Sequence, residues 1–127
     1  MSTDQPSSSP RSRRSRTADS QDEDHTARRI SEVGAVEVIT AVAVHLMSAS
    51  AVRCGLAEDT EPDLDEARKL ITALAGLVTA AATEIGDFHA RPLRDGLRSL
   101  QLAFREASLI PDPPGHGPGE RLTGPVY

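Results

Sequence analysis

From Ala35 to Cys54 the chain runs without a glycine, proline, asparagine or aspartate, so nothing in it breaks a single continuous element. On a helical wheel of about 100° per residue, Glu37, Thr40 and Ser48 fall in one narrow polar stripe. Val36, Val38, Ile39, Val42, Ala43, Leu46, Met47 and Cys54 spread over most of the remaining circumference. A surface helix ordinarily carries an apolar stripe of only about 100°. The excess predicts that this helix is the most buried element of the fold. Its many β-branched residues leave a buried strand through 36–44 as the rival reading. Length and the lack of turn residues favour a helix over about 33–54, stopped by Gly55. Glu37, Thr40, His45, Ser48 and Ser50 interrupt the run, whereas a membrane span needs ~20 mostly apolar residues. The expectation is a chain with no membrane association.

Two further helices are legible. Pro62 and an acidic loop precede Asp63, which reads as an N-cap with Glu66 three positions on, a capping-box pattern. Leu64, Ala67, Leu70, Ile71, Leu74, Leu77, Val78, Ala81 and Ile85 then recur at three- and four-residue steps, which predicts a helix over 63–85 ended by Gly86. Pro92 suits a first helical turn, so the third helix is placed at 91–108. Its Leu93, Leu97, Leu100, Phe104 and Ala107 alternate by four and three, the spacing of a heptad seam. Gly96 lies inside it and costs about 1 kcal/mol relative to Ala, unless a close approach requires it.

The ends read differently. Residues 1–26 are Ser, Arg, Asp and Gln with almost nothing apolar, a composition that cannot offset the entropy of ordering. Residues 110–127 hold many prolines and glycines and are expected to be a second disordered tail. The helical domain is thus expected at 27–109, a small domain with a modest core. With two Phe, one Tyr and no Trp, that core is built from Ala, Val, Leu and Ile. Net charge is −5, which argues against a dominant nucleic-acid-binding surface. One cysteine, Cys54, rules out an internal disulfide framework, and a reducing cytoplasm is the expected setting.

Three stretches, VEVITAVAVHLMSASAVRCGL (36–56), PDLDEARKLITALAGLVTAAATEIG (62–86) and PLRDGLRSLQLAFREAS (92–108), together resemble the DUF1844 family of short actinobacterial proteins of unknown function. The resemblance covers about residues 30–118. It implies no activity, cofactor or binding residue that can be carried over to this chain.

No set of residues converges on a reaction, and no phosphate loop, nucleophile elbow or zinc-protease motif is present in the sequence. The expectation is a non-enzyme with no cofactor and no metal. His45 and Cys54 are nine residues apart, which places them on opposite sides of one helix, so they cannot share an ion within one chain, and only a site shared across a symmetric dimer stays open. Cys54 at a helix C-terminus faces a negative dipole that disfavours thiolate, while Arg53 pulls the other way. Asp63, Asp65 and Glu66 are better explained by capping and the macrodipole than by acid–base chemistry. Arg11, Arg13, Arg14 and Arg16 read first as a solvated, disordered arm, and as a phosphate-binding site they are weak and countered by the acidic run after them.

Two surfaces remain. Arg91, Arg94, Arg98 and Arg105 step by three, four and seven, a basic stripe that is either solvated or a docking face for an acidic partner. Val38, Ile39, Val42, Leu46 and Met47 belong to an apolar surplus that three helices cannot hide. The sequence therefore predicts an all-α, small three-helix bundle with disordered tails at both ends, associating as a homodimer or with another protein. The alternative is an RNA- or ribosome-associated accessory protein using the basic arm and the third helix.

Overall fold

The computed structural model describes residues 34–127, and the compact unit is Val36–Tyr127. The described chain is all-α: α1 (Ala35–Arg53), α2 (Leu64–Ile85), α3 (Asp87–Ala107) and a single-turn α4 (Glu120–Thr123). The expected disorder of 1–26, the arginine arm and the start of the domain at 27 lie outside the described residues.

α1 is a helix, as its length and lack of breakers required, and the strand reading of 36–44 falls. It ends in a Schellman motif. Leu56 N–H donates to the Ala51 carbonyl and Gly55 N–H to the Val52 carbonyl, both at 3.0 Å. Gly55 takes φ +83°, and a Cβ there would lie 2.8 Å from Pro62 Cγ. The loop then closes where Asp63 N–H donates to the Arg53 carbonyl at 2.7 Å. Asp63 caps α2, its Oδ1 accepting from Glu66 N–H at 3.3 Å. The reciprocal half of a capping box is not made. The Asp63 amide is already bonded to Arg53, and Glu66 turns instead to Lys69 at 2.6 Å.

α2 and α3 are the most closely packed pair. Ala67, Ile71, Leu74, Ala75, Val78, Ala81, Ala82 and Ile85 of α2 are buried, and the alanines among them let the helices approach. From α3 come Ala90, Leu93, Leu97, Leu100 and Phe104, so four of the five expected seam residues are buried and Ala107 is half-buried. The connection is a single residue. Gly86, at φ +84°, donates to the Ala82 carbonyl and accepts from Ala90 N–H, ending one helix and starting the next. α3 therefore begins at Asp87 and not at 91. Pro92 falls inside the helix, where its missing N–H withholds the bond that the Phe88 carbonyl would accept.

Two expectations are corrected. α1 is the least buried of the long helices, with only Ala43 and Ser50 fully covered. Its inner stripe (Val36, Ile39, Ala43, Leu46, Met47 and Ala51) packs on the core, whereas Val38, Val42, Val44 and Val52 elsewhere on its circumference stay exposed among the described residues. An apolar circumference does not imply a buried one, because a three-helix bundle gives each helix roughly one covered face. Nor are residues 110–127 a disordered tail. They form a strap that returns over α2 and α3. Buried Gln101 donates from Nε2 to the Pro118 carbonyl and to Thr123 Oγ1, both at 3.0 Å. Arg68 pairs with Asp112 at 2.8 Å and lies 5.0 Å over the Phe104 ring. Val126 and Glu120 are buried, and Glu120 Oε1 accepts from Gly115 N–H at 2.9 Å.

Candidate functional site

The outer side of α1 carries a second seam. Val38, Val42, His45, Ala49 and Val52 step by four and three and fall within about 80° of one another. Ile39, Ala43, Leu46, Ser50 and Cys54 form the inner seam, about 120° around the helix. Val38, Val42 and Val52 remain 39%, 48% and 42% exposed. Of the five expected interface residues, Val38 and Val42 face outward. Ile39, Leu46 and Met47 are half-buried against the chain's own core, and Met47 fills the space opposite Gly96. Ser50, which the sequence marks as an interruption, is wholly buried and harmless because its hydroxyl donates to the Leu46 carbonyl at 2.7 Å. By length and composition, α1 is also long and apolar enough to cross a membrane.

The arginine stripe of α3 is divided by its neighbours. Arg105 is half-buried and donates to the Asp112 carbonyl at 3.4 Å, which ties it to the strap. Arg91 lies in a shallow groove with Asp87 and Asp95. Arg94 reaches Asp87 at 3.6 Å between two exposed side chains, a pair worth little. Arg98 has no ion pair among the described residues. Arg94 and Arg98 come together at a cleft beside the strap, to which Gln101 also contributes. Sequence reasoning missed Gln101 entirely. A lone glutamine four residues before Arg105, on the edge of a leucine seam, gives no signal until its distant partners are known.

The remaining candidates have structural duties. Cys54 is buried at the end of α1, and burial pushes its thiol pKa up, which disfavours the reactive thiolate. Asp63 is a cap. Glu66 hydrogen-bonds Lys69 and thereby raises the ammonium's pKa. Among the described residues, no group of three or more His, Cys, Asp or Glu side chains is placed to hold a metal ion.

A family model described as "Domain of unknown function (DUF1844)" matches residues 35–106, from the start of α1 to one residue short of the end of α3. No curated protein and no solved structure matches the chain.

Proposed function

We propose that this chain, which belongs to the DUF1844 family, is a small helical interaction module that pairs with a second copy of itself through the outer face of α1. The observation that supports this is the seam of Val38, Val42 and Val52, half-exposed at coiled-coil spacing on a helix whose other seam is already packed. A two-fold axis would cover both copies' seams at once, the commonest closed solution. The inner seam also favours a second copy over lipid, because α1 is held in the bundle by Ala43, Ser50 and Cys54. The module has no catalytic role in this reading, and its single buried thiol suits a reducing cytoplasm.

Sedimentation equilibrium between roughly 1 and 200 µM tests the reading, a range that brackets a weak dimer. Association with a two-fold mass is expected. A monomer at every concentration overturns it, as does a protein that floats with neutral lipid vesicles and does not dimerise.

A second reading rests on Arg98 and its exposed neighbours Arg91 and Arg94, which would serve an RNA-associated protein together with the arginine arm. Binding would then weaken steeply with salt and disappear when these arginines become alanine. The net charge of −5 opposes it.

A further inference from the structure

Between α2, α3 and the strap lies a cleft of about 360 Å³, within the size range of small-molecule sites. Its charge runs against that of the protein. Arg94 and Arg98 line it and no carboxylate does, in a chain of net charge −5. Its floor is apolar, from Val78, Leu97 and Val126, which are 2%, 2% and 4% exposed. Its one buried polar side chain is Gln101, 2% exposed. The Gln101 amide nitrogen is committed to Pro118 and Thr123, which fixes the orientation of the group. The carbonyl oxygen then accepts no hydrogen bond among the described residues. A buried acceptor left unpaired is costly, so a donor from an occupant would be favoured there.

We propose that this cleft binds a small organic anion: a carboxylate or phosphate on a compact apolar body that also carries a hydrogen-bond donor. Arg98, with no competing carboxylate, takes the anionic group as a charge-assisted pair, and Arg94 adds to the field from one turn away. The apolar body lies on Val78 and Leu97, and the donor meets the Gln101 carbonyl. The strap supplies one wall through Leu122, Thr123 and Pro125 and part of the floor through Val126, so the site exists only when the C-terminal segment is seated. This site is separate from the α1 seam and does not depend on dimerisation.

The test is an NMR titration of the full chain with 4-hydroxyphenyl phosphate, with inorganic phosphate and phenol as partial probes. Saturable shifts at Thr79, Gln101, Thr123 and Val126 are expected for the full probe, with submillimolar affinity. Each partial probe should bind at least about tenfold more weakly. Arg98→Gln should weaken the full probe by at least about tenfold. Thr79→Trp, which fills the cleft from its exposed rim, should abolish binding. Both variants change exposed residues, and an unchanged thermal melt shows that they fold. No saturable shift by about 10 mM overturns the proposal. So does wild-type affinity in either variant, or inorganic phosphate binding as tightly as the full probe.

Discussion

Gly96 and Gly119 both sit where another part of the chain comes close, yet they differ in what a methyl group would meet. At Gly96 a Cβ would lie 2.8 Å from Met47 Sδ and 2.9 Å from its Cε, the far end of a flexible side chain. Gly96→Ala also gains about 1 kcal/mol of helix propensity, so its stability should stay within about 1 kcal/mol of the parent. At Gly119 the backbone is left-handed, φ +76°, and the Cβ would meet Ala75 Cβ at 2.6 Å, on a helix that cannot yield. The left-handed cost of roughly 1–2 kcal/mol adds to overpacking, so Gly119→Ala should lose about 2 kcal/mol or more. Urea unfolding of the two variants decides it, and a Gly119→Ala protein as stable as Gly96→Ala would refute the rigid contact. Cys54 gives a pH test. Burial raises its pKa above the ordinary 9.0, so the unfolded chain releases this proton first as pH rises. The native state then binds more protons than the unfolded state. Stability should fall above about pH 9 by at most about 1.4 kcal/mol per unit, until the folded thiol also ionises. Cys54→Ser should flatten that part of the alkaline limb in unfolding measured from pH 8 to 10.5.

At the level of elements, the strap depends on contacts between residues far apart in sequence. Gln101→Met keeps the side-chain volume but removes the donor to Pro118 and Thr123. The strap should then open locally while the α2–α3 pair holds. Hydrogen exchange at Leu122, Thr123 and Gly124, whose amides bond to Gly119 and Glu120 carbonyls, should quicken by about tenfold. Buried amides of α2 should barely change; equal acceleration in both would mean that the strap is no separate unit. The same contacts explain why the strap was not legible in the sequence. Its prolines and glycines do exclude regular structure beyond one turn, and Gly115, Gly119 and Gly124 all take positive φ. Irregular is not disordered, however, and what orders this segment is Arg68 and Gln101, side chains 44 and 17 residues away from their partners. By contrast, α2 was legible almost to the residue because its signals are local: an aspartate cap, a three-four apolar rhythm and a glycine stop. The start of α3 was misplaced because Pro92 is a good first-turn residue, whereas Gly86 alone both ends α2 and begins α3. The cleft beside the strap could not have been seen at all without the strap.

For the whole molecule, the question is what the outer seam of α1 does in water. At 1.5 Å per residue its nineteen residues span roughly 28 Å, and a face about 10 Å wide projects roughly 300 Å². Even doubled for surface relief, that is below the ~800 Å² per partner of a standard interface. A dimer made by α1 alone should therefore be weak, with a dissociation constant in the micromolar range and strong dependence on concentration. The two seams make this testable within one helix. Val42→Asp places a carboxylate on the outer seam, where only a second copy would bury it. Association should be lost, while the thermal melt of the dilute monomer moves little, since exposed substitutions ordinarily stay within about 0.5 kcal/mol. Ile39→Asp places the same charge on the inner seam, against the protein's own core. There it should cost several kcal/mol and lower the melting temperature before any effect on mass is read. Sedimentation and circular dichroism on both variants distinguish the cases. If Val42→Asp sediments as the parent does, α1 is not the dimer face. If Ile39→Asp is as stable as the parent, α1 is not held in the bundle by the seam that contains Ile39.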